Sequence, residues 1–426
     1  MQAARRMALR RVAVWLCRIV TGLTFIISGW AKAIDPWGFI IKVNEYLTVW
    51  GLSFPREIVL TGCIALACVE FATGVLLATG SLKRTSAAVA AAMMAVMLPL
   101  TLYIVVASPV NDCGCFGDFI VLSNVSTFVK NVVLSAMIVY LLCVGRTVRG
   151  IYAAPIQWLV VAASLVFPLV LAFVGYNIQP VVDFRPYHVG QPLFAETDGA
   201  APADELYIYE KDGRRESFTL DNLPDSTWTY VDTRSAVSAA DSGAGRGFEV
   251  LDGDGYDISA DLAQTDTPVL ILVVNEPDMQ FLSRVHFVSR LYEYATERGV
   301  AMCGIVGSSG DRLARWVELT RPRFPVYSAE DTALLQLVRG DAALVYISDG
   351  IIRWKRSLIS MDADLPERTG PQNALDTDVR AVDSGRLHAF CLIAYLLVML
   401  VIYLLSLSPR ILRFFIHLGR HGEHNE

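Results

Sequence analysis

The stretch Asn111-Asp112-Cys113-Gly114-Cys115-Phe116-Gly117-Asp118 sets two thiols one glycine apart in a short polar island between long apolar segments. A thiolate is the nucleophile of disulfide exchange. Glycine permits the unusual dihedrals that a small ring closed by Cys113 and Cys115 needs. Such a ring is strained, and strained disulfides are the labile, oxidising ones. Three chemistries stay open for the pair: thiol–disulfide exchange, a static disulfide that pins the loop, and a soft-metal site. With no histidine nearby, two sulfurs leave a metal underligated, so no metal is expected. Asp112 and Asp118 flank the pair as candidate proton acceptors, although neighbouring carboxylates also raise a thiol pKa.

Of the eight cysteines, Cys17, Cys63, Cys68, Cys143 and Cys391 fall inside apolar runs, where a thiol usually serves as a small hydrophobe. Cys303 stands alone in the polar half and reads as a buried, inert strand residue. Cys63 lies roughly 9 Å down the second apolar run by the helical rise. From there it could accept a disulfide from the loop, but packing is the commoner role. Glu70 is the most informative single charge, because ionisable residues inside a span are costly and usually face the bundle interior or water. It reads either as part of a proton path or headgroup contact, or as half of a structural ion pair. Lys32 and Asp35, at the end of the first run, are expected to pair with each other. Lys130, just past the cysteine loop, either lowers a thiol pKa or snorkels to the interface.

The elements that must position these residues are membrane helices. The 426 residues are 54% hydrophobic and 18% charged, with a mean hydropathy of +0.44. A soluble protein carries about a quarter charged residues, so a membrane protein with a soluble part is expected. Residues 180–386 carry a net charge of −14 and the remainder +8. An acidic soluble region beside a basic membrane portion argues against nucleic acid as a partner.

Apolar runs cover Val12–Trp30, 57–79, 85–107, 127–145, 155–176 and Leu387–Leu407, each close to the roughly 20 residues that span a bilayer. The first exceeds the 7–15 residues of a signal-peptide core, so it reads as a retained span. Ala33–Gly51 is more polar, with Trp37 and Trp50 near its ends, and reads as a re-entrant or interfacial helix. The N-terminal arginines, Lys83, Arg84, Arg146, Arg149, Arg410, Arg413 and Arg420 all fall on one side of six spans. The positive-inside rule then puts both termini in the cytoplasm. It puts the cysteine loop and the acidic region outside, in the periplasm of a bacterium, where disulfides persist.

Asp183–Gln264 reads as short β-segments, Leu206–Glu210, Arg215–Leu220 and Trp228–Val231, with a turn at Lys211-Asp212-Gly213. Ser235–Arg246 reads as a flexible loop. Asp252-Gly-Asp254-Gly-Tyr-Asp257 mimics a calcium loop but lacks its ligand spacing and reads as a tight turn. From Thr267 a β-α-β-α order ends in a hairpin over Ala343–Ser357, which suggests a thioredoxin-type α/β domain. His417, His421 and His424 read as part of a solvated tail.

The chain thus divides into a four-helix membrane domain over 1–150, a fifth span within 151–180 and a β-rich subdomain over 181–266. A thioredoxin-like domain over 267–365, a linker over 366–386, a sixth span over 387–408 and a tail over 409–426 complete it.

Ser28-Gly29-Trp30-Ala31-Lys32-Ala33-Ile34-Asp35-Pro36, with Glu70 and Gly74, resembles the DoxX-like membrane proteins. Cys113-Gly114-Cys115-Phe116-Gly117-Asp118 resembles the methylamine-utilisation MauE-like branch of that family. The resemblance covers about residues 10–145. It implies a small helical bundle similar to those that re-oxidise disulfide catalysts and pass electrons to quinone. The branch is associated with maturation of a disulfide-rich periplasmic subunit. Asp183-Phe184-Arg185-Pro186-Tyr187 and the Tyr346–Trp354 hairpin resemble the thioredoxin-like domain fused to such bundles. This chain departs from a working thioredoxin. No cysteine lies between Thr267 and Met302, and no proline stands at Gly340-Asp341-Ala342 before the hairpin.

The expected protein is therefore a six-span bundle carrying a soluble, catalytically degenerate α/β thioredoxin-like domain. Cys113 and Cys115 would exchange a disulfide with a periplasmic protein docked on the acidic domain, beside a lipid bilayer and with a quinone implied as cofactor by resemblance alone. The rival expectation is a non-enzymatic scaffold whose loop disulfide is structural.

Overall fold

The computed structural model describes residues 2–107, 110, 113–120, 122–180, 182–194, 205–211, 214–218, 228–235, 248–263, 267–275, 281, 283–307, 310–367 and 384–422. The chain forms two compact units, Met1–Phe184 with Arg380–Glu426, and Arg185–Val379.

The first unit is helical. It comprises α1 (Gln2–Ile34), α2 (Pro36–Val49), α3 (Arg56–Thr79), α4 (Lys83–Ala107), α5 (Asn124–Val144), α6 (Gln157–Asn177) and α11 (Ser384–Gly422). All but α2 contain a segment long and apolar enough to cross a membrane, six in all among the described residues. Helix α2 is about 21 Å long by the helical rise and too short to span. Its start is written into the sequence: Pro36 occupies the first helical position, and the Asp35 carboxylate accepts from Gly38 N at 2.9 Å.

Helices α1 and α3 cross at van der Waals contact of their backbones. A Cβ on Gly29 would lie 2.5 Å from Phe71 N, and one on Gly74 would lie 2.5 Å from Ile26 N. In lipid, where burial gives helices no reason to associate, small residues let packing do so. Phe71 then meets Phe167 of α6, and Tyr395 of α11 stacks on Phe167 at 4.5 Å between centroids. The end of the bundle away from the cysteine loop is tied by Arg18. Its buried guanidinium donates to the carbonyls of Gly145 (2.7 Å) and Val148 (3.0 Å). Sequence reading passed over Arg18; an arginine well inside an apolar run was the available signal.

The second unit holds a three-stranded antiparallel sheet of β1 (Glu205–Lys211), β2 (Arg214–Phe218) and β3 (Thr229–Ser235), in the order β2-β1-β3. These are the three expected β-segments. The loop expected over Ser235–Arg246 lies outside the described residues from 236 onward. Asp252 forms the expected tight turn, its Oδ1 accepting from Asp254 N and Tyr256 N at 2.9 Å each, and the short α7 (Ser259–Ala263) follows.

The second sheet of this unit has five strands: β4 (Val269–Val274), β5 (Ala301–Gly307), β6 (Val326–Ala329), β7 (Ala342–Ser348) and β8 (Ile351–Ser357), in the order β6-β5-β4-β7-β8. Strands β4, β5 and β6 run parallel; β7 and β8 form the antiparallel hairpin. Strand β4 reads Val-Leu-Ile-Leu-Val-Val because both of its faces are buried. Leu270, Leu272 and Val274 face a core with Leu291 of α8 (Val285–Glu297) and Trp316 of α9 (Gly310–Thr320). Val269, Ile271 and Val273 face a second core with Leu334 of α10 (Asp331–Leu337) and Phe248. Cys303 lies in that second core, and burial pushes its thiol up to about 12.

Candidate functional site

The cysteine loop rests against α1, α2 and α5. Sγ of Cys113 and Sγ of Cys115 lie 2.8 Å apart, while a covalent bond needs about 2.05 Å. Gly114 between them has φ +66° and Gly117 after them φ +55°, so both fold the chain back through the left-handed region that glycine enters freely. A Cβ on Gly114 would also press on Lys42 Cγ at 3.2 Å. Gly114→Ala is therefore expected to destabilise the loop by about 1–2 kcal/mol and to raise the alkylation rate of both thiols. Timed alkylation of the full-length protein checks this.

Beneath the loop lies a buried polar network. Lys32 Nζ of α1 donates to Glu70 Oε2 of α3 at 2.6 Å and to Ser28 Oγ at 2.9 Å. Lys32 is 3% exposed and Glu70 5%, so this is a fully desolvated pair. Ser28 lies four residues before Lys32 and therefore on the same helix face. Its hydroxyl has one proton and two acceptors in reach, the Cys115 carbonyl at 2.7 Å and Glu70 Oε2 at 3.0 Å. The network thus grips the backbone of Cys115. From the other side, Tyr46 Oη of α2 donates to the Cys113 carbonyl at 3.2 Å.

Lys130 of α5 lies 4.3 Å from the centroid of the Phe116 ring, a cation–π contact that keeps its charge beside the loop. The two thiols respond in opposite directions. The hydrogen bond the two sulfurs share, in which either can be the donor, pulls the Cys115 thiol below its ordinary value, and Lys32 and Lys130 act in the same direction against burial. That same bond, with burial, holds the Cys113 thiol well above the usual range. Past the loop, Phe119 packs edge-on against Trp30 of α1 and tilts onto Phe184.

Of the residues expected at the site, Cys113, Cys115, Glu70 and Lys130 come together. Asp112 lies outside the described residues, as does the side chain of Asp118. The expected pairing of Lys32 with Asp35 is corrected: Lys32 is bonded to Glu70, and Asp35 caps α2. Cys63 packs with Ile40 and Val59 under α2, in the commoner role expected for it. The parts played by Ser28, Lys42 and Tyr46 were not expected.

Residues 10–144, about a third of the chain, match the family described as methylamine utilisation protein MauE. The membrane bundle is MauE-like. The match ends at the last residue of α5 and so takes in the whole cysteine loop and its supports. Residues 206–239 match a domain of unknown function, DUF8463, over the small three-stranded sheet. The chain is also similar to Protein TlpB of Flavobacterium psychrophilum, 28% identical over 127 residues, which is 29% of this chain and 35% of that protein. It thus spans about a third of the length of the curated relative it matches.

Proposed function

We propose that this MauE-like protein is a membrane thiol–disulfide redox or protein-maturation component that works through Cys113 and Cys115. The observation that carries the reading is the pair itself. Two sulfurs lie 2.8 Å apart, and the loop that holds them is anchored to a buried ion pair. An oxidised pair would take two electrons from a partner dithiol, leaving the partner with a disulfide and the loop with its thiols. That exchange balances without a quinone, the cofactor implied by resemblance. Lys32 and Ser28 are engaged with Glu70 and the Cys115 carbonyl rather than aimed at a headgroup, so no step here runs through a quinone.

The distribution of arginine and lysine supports an orientation with both termini in the cytoplasm of a bacterial inner membrane. The cysteine loop and the acidic unit would then face the periplasm. We assign that unit a docking role for the partner protein, on a degenerate thioredoxin-like core. Its β4-α8-β5-α9-β6-α10-β7-β8 order supports the core. Cys303, buried with its thiol pushed up, is unsuited to exchange.

Cys303 also favours a second reading, because a bundle fused to a domain without redox cysteines suits an assembly scaffold. Cys113→Ser in cells separates the two. Under the first reading the variant accumulates normally while partner thiols are mis-oxidised. Under the second its abundance or complex assembly falls and partner thiols are unaffected.

A further inference from the structure

We infer, independently of the exchange proposed for the cysteines, that the far end of the bundle holds a phosphate-binding cleft. It lies where α3, α4 and α5 meet away from the cysteine loop. Arg18 and Lys83 would hold the phosphate group, as an anionic lipid headgroup or free phosphate carries it.

The charge at this end is one-sided. No Asp or Glu occurs in residues 1–34, 71–111 or 119–182, ranges that contain all of α1, α4 and α5 and the last turns of α3. Glu70, just before the second range, is bound to Lys32. Arg18 is 3% exposed and enters no ion pair among the described residues. Its partners are the carbonyls of Gly145, Val148 and Arg149, at 2.7, 3.0 and 3.3 Å, and the Trp15 ring, whose centroid lies 5.1 Å from the guanidinium carbon. Carbonyls and a ring face soften a buried charge without neutralising it, and an ion out of water is costly until an opposite charge meets it. These carbonyls also use only part of the guanidinium's N–H donors.

The cleft gives an anion access to this charge. Arg18, Lys83 and Ser86 line it together with Leu77, Ala87 and Leu141. Gly80 lets the guanidinium lie against the turn between α3 and α4, where a Cβ would stand 2.6 Å from Nη1. The Ser86 hydroxyl is taken by the carbonyls of Ser81 and Leu82, so the two cations are the groups left to meet a ligand. Lys83 is half-buried, has no ion pair among the described residues and is the first residue of α4. A helix start adds its own N–H groups and positive dipole end. The cleft measures about 210 Å³ out to its mouth, and its enclosed part is only water-sized. The phosphate would therefore sit in the mouth, between Lys83 and the edge of the guanidinium.

Depth sets the class of ligand. The spans of α3 and α5 end at Thr79 and Val144, and that of α4 begins at Lys83. The cleft thus lies at headgroup level, where basic pockets between helices take phosphate-bearing headgroups.

The test uses the full-length protein in neutral maltoside micelles, which remove the general attraction of a basic surface for an anionic bilayer. Dioctanoyl phosphatidylglycerol, dioctanoyl phosphatidylcholine and inorganic phosphate are each titrated against the unfolding temperature, which a ligand of the folded state raises by mass action. Phosphatidylglycerol should raise it at concentrations where phosphatidylcholine does not. Lys83 is the residue varied, because Arg18 also ties the bundle together. Lys83→Gln should weaken the apparent affinity about fivefold, and Lys83→Arg should keep it. Arg84→Gln removes an exposed charge one residue along and outside the cleft, and should leave the affinity within about twofold. A response to phosphatidylglycerol alone supports the cleft with a lipid as occupant. An equal response to inorganic phosphate supports it with the free anion as occupant. No response to either, an equal response to phosphatidylcholine, or equal losses in Lys83→Gln and Arg84→Gln overturns the inference.

Discussion

Glu70→Ala is expected to cost the protein about 3–5 kcal/mol of stability, because it strands the Lys32 ammonium in a buried site. Both partners are almost fully enclosed, and the 2.6 Å bond is what makes the lysine tolerable there. Removing both charges is a different experiment. Lys32→Met with Glu70→Gln leaves no orphaned ion, and replacing a whole buried pair is often close to neutral. The double variant should therefore fold and insert far better than Glu70→Ala. It should still exchange poorly, because Ser28 and Cys115 have lost the cation beneath them. Thermal unfolding in detergent, read beside thiol reactivity, checks both halves. Equal stability of the single and double variants would show that the ion pair is not what matters.

Gly29→Val is the second change with a large expected effect. The new Cβ would lie 2.5 Å from Phe71 N and 2.7 Å from Ala67 O. Both are backbone atoms, so no side chain can swing away. Helix α3 must move outward, and overpacking of this kind typically costs about 1–3 kcal/mol, occasionally more. The damage should spread beyond stability. Glu70 is the residue before Phe71, so displacing α3 there pulls the carboxylate off Lys32 and loosens the grip on Cys115. The expected result is a lower unfolding temperature together with faster alkylation of Cys115. Val69→Ala, also on α3 but 40% exposed, should change neither measurably. A Gly29→Val protein with wild-type alkylation kinetics would separate the crossing from the site.

Much of this architecture could be read from the chain. The six spans followed from run length and hydropathy, since a bilayer demands about 20 apolar residues of every helix that crosses it. The continuous apolar stretch of β4 marks a buried strand, and Asp349-Gly350 between two β-runs marks the closing hairpin. Cys113 and Cys115 stood out through composition, as thiols in a polar island. What could not be read was who meets whom. Lys32 and Glu70 are 38 positions apart, and their meeting depends on the close crossing that Gly29 and Gly74 permit. Local spacing favoured Asp35, three residues from Lys32, yet that carboxylate is turned toward the start of α2 by the demand for a cap. Ser28 was visible one helical turn before Lys32, but its hold on Cys115 spans 87 positions. Long-range contacts of this kind arise from packing, and local pattern does not encode them.

The central claim is that Cys113 and Cys115 form an exchanging pair. The most direct measurement is a redox titration of the protein in native membranes, with both cysteines trapped by alkylation and read by mass spectrometry. The account predicts a disulfide reduced well above the roughly −300 mV below which structural bridges typically lie. A pair that stays oxidised at strongly reducing potentials, or that never forms a disulfide, would contradict it and leave the scaffold reading in its place.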